Sequence, residues 1–137
     1  MHMRIMAVDY GDARTGLAFS DLTGLLVGEA FTVEEWNFER LAARIVEEAG
    51  KRAVGRIVLG KPLNMDGSAG PRAEKSAALA DTLRTLSGLE VILWDERRTT
   101  VDAHRILSET GNRGKKRKAK VDAVAASLIL EGYLASL

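Results

Sequence analysis

The chain has no cysteine, no long apolar run and few aromatic residues. The absence of cysteine excludes a disulfide framework, thiolate metal ligands and a cysteine nucleophile, and it favours a protein of the reducing cytoplasm. No segment approaches the roughly 20 apolar residues that span a membrane, and the first residues lack the pattern of a cleavable signal, so we expect no membrane partner. Aromatic residues make up 5% of the chain, too few for a platform on which a single-strand binder stacks successive bases.

The net charge is also close to zero, but basic and acidic residues are distributed unevenly along the chain. The whole chain carries a formal charge of +1, whereas residues 97–120 contain nine basic and two acidic residues, a local charge of +7, and the rest carries −6. The densest part, residues 113–120, reads RGKKRKAK and follows Gly111 and Asn112, which predicts a mobile, exposed loop. Clustered charge binds polyanions whatever the total, because each neutralised phosphate releases counterions. Nucleic acid is therefore a candidate partner, and a solvated loop that only aids solubility is the alternative.

Apolar patterning predicts a chain that alternates strands and helices. Five short apolar segments are predicted as strands, over residues 4–10, 15–20, 26–33, 56–60 and 90–94. Helical spacing or helix-start signals predict helices over residues 37–52, 71–86 and 120–137, and another that begins at Thr99. Hairpins first and βαβ crossovers later indicate an α/β fold with a mixed sheet. At 137 residues, the chain fits one domain spanning residues 1–137.

Three positions carry an acid that packing alone does not require. Asp9 ends the first predicted strand, Asp95 and Glu96 end the fifth, and Asp122 begins the last predicted helix on its inward stripe. If strands one and five are parallel, these acids emerge at the carboxyl end of the sheet, where open α/β sheets bind ligands. Converging carboxylates repel each other unless a cation lies among them, and oxygen ligands without Cys or His suit Mg²⁺ or Mn²⁺. One or two such ions catalyse phosphodiester displacement.

Each acid also has a purely structural interpretation. Asp122 at a helix N-terminus would stabilise the helix dipole, and Asp95 would be a turn residue. Asp9 is harder to explain in this way, because a carboxylate that ends a buried strand needs a partner. The two histidines, His2 and His104, assemble no Ser-His-Asp arrangement.

The turn that follows Asp9 is rich in glycine. Gly11 and Gly16 are expected to supply unusual backbone angles there, and Gly11 leaves the backbone open to a phosphate. Taken alone, such a turn is weak evidence of a ligand.

A second glycine-rich loop covers residues 60–72 and joins a predicted strand to a helix. Its backbone N–H groups, together with Lys61 and Arg72, would suit a phosphate. A structural loop held by Asx turns at Asn64 and Asp66 is an equal alternative.

Four segments together resemble the successive motifs of the YqgF/RuvX family, a bacterial branch of the ribonuclease H-like nucleases: AVDYGDARTGLAFSD, LGKPLNMDGSAGPRAE, WDERRTT and KVDAVAASLIL. The resemblance runs from about Ile5 to Leu134, nearly the whole chain. It implies a ribonuclease H-like fold: a five-stranded mixed sheet with three antiparallel strands and helices on both faces. It also implies a cytoplasmic, Mg²⁺- or Mn²⁺-dependent nuclease. Family members are assigned to 5′-end maturation of small-subunit ribosomal RNA precursors or to Holliday junction resolution.

The resemblance assigns roles to individual residues. Asp9, Glu96 and Asp122 match the family's acids and would be the catalytic residues that hold one or two metal ions. Asp95 is the alternative to Glu96, since adjacent strand residues face opposite sides. Arg97 is the candidate phosphate clamp. The expected nucleic-acid-binding residues are Lys61, Asn64, Arg72, Arg97, Arg113, Lys115, Lys116, Arg117, Lys118 and Lys120.

We therefore predict a metal-dependent nuclease of structured nucleic acid. Family association alone favours pre-16S ribosomal RNA as the substrate, with the pre-ribosomal particle as a candidate partner. Resolution of four-way DNA is the first alternative; it would require a homodimer, whereas RNA processing allows a monomer. A non-catalytic RNA- or ribosome-binding module is the second alternative, and it needs the basic residues but not the acids.

Overall fold

Five strands and three helices make up the part of the chain that the computed structural model describes: residues 3–62, 66–95 and 114–137, without the side chains of residues 114–121. The strands are β1 (Arg4–Asp9), β2 (Arg14–Ser20), β3 (Val27–Glu34), β4 (Val54–Lys61) and β5 (Glu90–Asp95). The helices are α1 (Phe38–Lys51), α2 (Pro71–Ser87) and α3 (Gly114–Ala135). All five predicted strands are confirmed, with ends shifted by one or two residues. The helix expected from Thr99 lies outside the described residues.

The strands form one mixed sheet in the order β3-β2-β1-β4-β5. β1 pairs antiparallel with β2, and β2 with β3, whereas β1 with β4 and β4 with β5 are parallel. β1 and β5 therefore run in the same direction, with β4 between them. We call the end of the sheet at which β1, β4 and β5 finish the carboxyl end, and the end at which they begin the amino end. The predicted mixed sheet with three antiparallel strands is confirmed.

Both faces of the sheet are buried, and strand alternation decides which residue faces which helices. In β1, Met6 and Val8 belong to the core under α1 and α2, whereas Ile5 and Ala7 belong to the core under α3. This double burial explains why the strands read as nearly continuous apolar runs.

The ends of α1 and α2 follow the signals in the sequence. Asn37 caps α1, its side-chain oxygen accepting a hydrogen bond from the Arg40 backbone N–H at 2.9 Å. Pro71 is the first residue of α2, where its missing N–H costs nothing, and Gly88 ends the helix with a φ of 71°.

The basic segment is helical, so the predicted mobile loop is wrong for residues 114–120. α3 begins at Gly114 instead of Lys120, while Arg113 lies outside the described residues. Lys, Arg and Ala are strong helix formers, and a like-charge pair one turn apart costs only about 0.2–0.5 kcal/mol. Charge repulsion is therefore too weak to prevent the helix. As a second correction, Asp122 lies well inside α3 and does not begin it, which removes the helix-dipole explanation of this acid.

No helix among residues 3–62, 66–95 and 114–137 combines the length and the apolar character needed to cross a bilayer.

Candidate active site

Asp9 is the last residue of β1, at the carboxyl end of the sheet, and it is half-buried. Alternation along β1 gives Asp9 the same face as Ile5 and Ala7, which pack under α3. The strand thus directs this carboxylate towards α3 at the point where apolar packing ends.

Gly16 brings α3 to that point. In the β1–β2 ladder Gly16 is the partner of Asp9. A Cβ atom built on Gly16 would overlap the carbonyl oxygen of Asp122 and lie 2.5 Å from its carbonyl carbon. Only glycine leaves room for the helix backbone here, so the pairing of Asp9 with Gly16 and the contact of Gly16 with the Asp122 backbone place both acidic residues next to the same glycine.

Arg14 pairs with the second of these acids. Its Nε lies 3.6 Å from Oδ2 of Asp122, and the two side chains are 27% and 24% exposed. Arg14 precedes Gly16 by two residues on β2 and so shares its face. The positive charge reduces the repulsion that two neighbouring carboxylates would otherwise feel. Sequence reasoning missed this residue; the signal was its alternation with Gly16.

The glycines of the turn do not have the unusual backbone angles that the sequence predicted. Among the described residues, positive φ occurs in Gly24, Gly67 and Gly88, and in Ala53, but in neither Gly11 nor Gly16. Both are needed for space instead: a Cβ on Gly11 would overlap the carbonyl oxygen of Arg14. This expectation was wrong because a sequence does not distinguish a glycine required for φ from one required by a close approach.

Asp95 lies on a different face from Asp9. It ends β5 in register with Lys61 of β4. Ile92 and Trp94 pack on the α3 side, so alternation directs Asp95 to the side of α1 and α2. Glu96 and Arg97 lie outside the described residues.

The structure therefore describes only some of the carboxylates that could hold a metal ion. Among the residues that the structure covers, no group of three or more His, Cys, Asp or Glu side chains is arranged so that it could hold a metal ion. Asp9 and Asp122 are two of the three predicted ligands, and the third, Glu96, is not among these residues. Carboxylate oxygens are the donors that Mg²⁺ and Mn²⁺ take, so the chemistry of Asp9 and Asp122 fits such an ion.

Two basic side chains of α2 border the β1–β2 turn. Arg72 donates from Nη2 to the backbone carbonyl of Tyr10 at 3.3 Å, and Nζ of Lys75 lies 3.1 Å from Oδ1 of Asp12. With Gly11, these residues line a small polar cavity. Lys75 was not predicted, although it follows Arg72 by three residues and so lies on the same side of the helix.

Of the other predicted phosphate ligands, Lys61 ends β4 on the face of Ile57 and Leu59, which is the α2 side. The structure thus places Lys61 and Arg72 across the sheet from the Asp9–Asp122 pair, at the same carboxyl end. The predicted Asx turn at Asp66 is confirmed, since its Oδ1 accepts from the Ser68 N–H at 2.9 Å. Asn64 lies outside the described residues.

The remaining predicted contacts lie on α3. The backbone of Lys115, Lys116, Arg117, Lys118 and Lys120 is helical and leads directly into Asp122. The basic residues and one of the acids therefore share a single rigid element.

Sequence comparison assigns the chain to a family. The profile described as "RuvX: Holliday junction resolvase" matches residues 3–136. The protein belongs to the RuvX family. This confirms the resemblance read from the four motifs and places the chain among nucleases.

Curated relatives of this RuvX protein carry a different name. A "Putative pre-16S rRNA nuclease" of Halothermothrix orenii is 46% identical over 133 residues, covering 96% of this chain and 94% of that protein. The equally named protein of Myxococcus xanthus is 44% identical over 132 residues, covering 96% and 87%.

Solved structures confirm the ribonuclease H-like fold of this RuvX protein. Thermus thermophilus RuvC, solved in complex with a Holliday junction substrate, matches with a TM-score of 0.64 and 14% identity, covering 98% of this chain and 96% of that chain. The Holliday junction resolvase of fowlpox virus matches with a TM-score of 0.61 and 20% identity, covering 98% and 100%. At these identities the likeness concerns the fold.

Proposed function

We propose that this protein is a cytoplasmic, metal-dependent nuclease that hydrolyses phosphodiester bonds of structured RNA and trims the 5′ end of a 16S ribosomal RNA precursor. The observation that carries the proposal is the glycine-permitted approach of α3 to β2, which leaves Asp122 and Asp9 next to the same residue, Gly16. The choice of RNA rests on the names of relatives that are 46% and 44% identical to this chain.

Asp9, Asp122 and Glu96 would hold Mg²⁺ or Mn²⁺. Asp9 and Asp122 are half-buried carboxylates placed against the same glycine, at the edge of a core that apolar residues otherwise fill. When bound, a divalent cation supplies positive charge to the reacting phosphate and makes an attacking water more acidic. Arg14 would keep the Asp122 carboxylate in place for that ion.

The helical form of the basic segment supports a role in holding the substrate. Lys118 precedes Asp122 by four residues, just over one helical turn or about 6 Å along the axis. A phosphate bound by the basic turns of α3 would therefore lie close to the acids, which a mobile loop could not ensure. Lys61 and Arg72 would contact the strand from the α2 side of the carboxyl end.

Cleavage of four-way DNA is a second candidate, favoured by the family description itself. It differs in what it demands of the assembly. A four-way junction is cut at two symmetric positions, so this function needs a dimer that presents two active sites, whereas RNA trimming needs one.

A comparison of four proteins on two substrates tests the proposal. The proteins are the wild type, Asp9→Asn, the triple variant Lys115→Gln/Lys116→Gln/Lys118→Gln, and the control Asp81→Asn. Asp81 is an exposed acid of α2 that pairs with Arg84 at 2.8 Å, away from the site. The substrates are a labelled precursor RNA with a 5′ extension and a labelled four-way DNA, each with Mn²⁺.

We expect the wild type and Asp81→Asn to cut the RNA and Asp9→Asn to bind it without cutting. Loss of a ligand costs more than the roughly 10- to 100-fold effect of losing a residue that merely orients one. The triple variant should reduce the slope of log K against log salt by about 2–3. Cleavage by Asp9→Asn at the wild-type rate contradicts the active-site assignment. RNA binding without any cleavage would favour the binding module, and cutting of DNA alone by a dimer would favour junction resolution.

A further inference from the structure

The two tryptophans of the chain have opposite environments. Trp94 is buried in the core under α3 with 8% of its surface exposed, whereas Trp36 is 75% exposed. Tryptophan is highly buried on average, because it is the side chain that gains most from leaving water. Leucines such as Leu22 and Leu26 are exposed too, but Trp36 alone among these exposed side chains offers a flat aromatic face to a ligand.

Trp36 lies at the carboxyl end of the sheet. It follows β3, whose last residue Glu34 pairs with Arg14 of β2. Asp9, Gly16 and Thr32 occupy one row across β1, β2 and β3. With strands about 4.8 Å apart and about 3.3 Å per residue, Trp36 lies on the order of 15 Å from Asp9. A nucleic-acid strand whose phosphate is at Asp9 would reach Trp36 with its flanking nucleotides.

The backbone on both sides of Trp36 is held in place. The Glu35 N–H donates to the Ala13 carbonyl at 2.9 Å, and the Asn37 N–H donates to Oε2 of Glu35 at 3.1 Å. Asn37 also caps α1. The segment that carries the ring is therefore ordered before any ligand arrives, so a ligand that meets the ring pays little entropy to order the protein.

The neighbours of Trp36 define what the ring can contact. Glu34 and Glu35 precede it and would repel a phosphate, but a base is uncharged and has a flat face. Stacking on an aromatic ring tolerates every base, yet it requires a base whose face is not already covered by a neighbour in a duplex.

We infer that Trp36 stacks on an unpaired base of the substrate, beside the segment that is cut, and so makes the enzyme select substrates with a single-stranded flank. One ring does not make the platform that the low aromatic content excludes; it adds a single stacking contact to binding by charge. The inference rests on the proposed function, and it specifies the substrate class of that same site.

Tryptophan fluorescence tests this inference without cleavage. The Asp9→Asn protein is titrated with an RNA hairpin that carries a single-stranded 5′ flank, and with a blunt hairpin of the same number of phosphates. The same titrations are made with Asp9→Asn/Trp36→Leu and Asp9→Asn/Trp36→Phe. Leu keeps an apolar side chain without a ring, whereas Phe keeps a smaller ring.

We expect the flanked hairpin to quench the exposed tryptophan more strongly than the blunt hairpin, because the loop is the same in both and only the flank adds unpaired bases. Trp36→Leu should weaken binding of the flanked hairpin about 5- to 100-fold, as loss of one stacked base does, with Phe in between and the blunt hairpin unaffected. Equal binding of both hairpins by all three proteins overturns the inference while the proposed function stands. Equal quenching with and without Trp36 also overturns it. If the Asp9→Asn protein binds neither hairpin, the proposed function fails together with the inference.

Discussion

Acidic residues at the two ends of the sheet differ in burial and in the basic residues around them. At the amino end, Glu48 of α1 is buried and surrounded by bases: Arg52 lies 3.0 Å away, Lys51 3.2 Å and Arg44 3.6 Å. Arg52 also pairs with Glu29 at 2.6 Å. At the carboxyl end, Asp9 and Asp122 are only half-buried, and the ion pair of Asp122 with Arg14 is 3.6 Å long.

The pKa of Glu48 reflects the environment at the amino end. Burial acts to raise it, but hydrogen bonds from Arg52 and Lys51 outweigh burial and lower the pKa below its ordinary value. The Arg52 guanidinium moreover lies 4.3 Å above the Phe19 ring, so the network is continuous with the core. Glu48 is thus enclosed by short contacts with several bases, whereas Asp9 and Asp122 keep part of their surface exposed.

The largest difference between the two ends of the sheet, in stability and in cleavage, should appear when a glycine at each end is replaced by alanine. In Gly16→Ala the new Cβ meets helix backbone, which no rotamer change relieves, so α3 must shift away from β2. We expect a loss of about 1–3 kcal/mol in the free energy of unfolding, and loss of cleavage because Asp122 moves with the helix. Urea unfolding and cleavage rates measure both.

The matched control is Gly50→Ala, in α1 at the amino end, where a Cβ meets nothing within 4 Å. This change should stabilise the protein by about 0.5–1 kcal/mol, since alanine favours a helix over glycine, and leave cleavage unchanged. Equal effects of the two substitutions would show that α3 and β2 do not depend on the close approach.

Glu48→Gln should lower stability without affecting cleavage. Arg52 and Lys51 would lose charged hydrogen bonds, at a cost of about 1–3 kcal/mol at pH 7. Because the pKa of Glu48 is lowered in the folded protein, its contribution is present above the unfolded value of 4.5 and is lost as the pH falls through the folded value. The difference in unfolding free energy between wild type and variant should therefore shrink below about pH 4.5. A difference in unfolding free energy between wild type and Glu48→Gln that stays constant down to pH 3 would contradict an ionic contribution of Glu48.

The smallest effects are expected from replacing two arginines, Arg14 and Arg44. They make ion pairs of equal length, 3.6 Å, at opposite ends of the sheet. Arg14→Gln should raise the Mn²⁺ concentration for half-maximal cleavage about tenfold, because Asp122 is then less well oriented. Arg44→Gln removes the longest of the three basic contacts of Glu48 from a half-exposed arginine, so it should change stability by about 0.5 kcal/mol or less and leave the Mn²⁺ dependence unchanged. If both variants keep the wild-type Mn²⁺ dependence, Arg14 has no role at the site.

Much of the fold could be predicted from local patterns. The strands and the first two helices follow from apolar runs and from caps such as Asn37 and Pro71, which act over a few residues. The basic segment was predicted wrongly because repulsion between like charges is conspicuous in a sequence, whereas the helix propensity of Lys, Arg and Ala is not.

The site was predictable only in its components. Asp9 and Asp122 stand out in the sequence, and the position of Asp9 at the end of β1 is confirmed. The pairing of Arg14 with Asp122 could not be predicted, because it depends on where α3 crosses β2. The accessible Trp36 has no local signature at all, since its exposure depends on the packing of everything around it.

Apart from the start of α3, the elements, their alternating faces and the family could be read from the sequence, because these depend on neighbouring residues and on motifs that stay recognisable in one dimension. The meeting of β2 with α3 at Gly16, which places Asp9 and Asp122 next to the same glycine, appears only once the chain is packed. This arrangement relates the first strand to the last helix. It depends on the register of β1 with β2 and on the absence of a side chain at Gly16. The register and the close approach each involve two segments of the chain, so they are defined only in the packed structure.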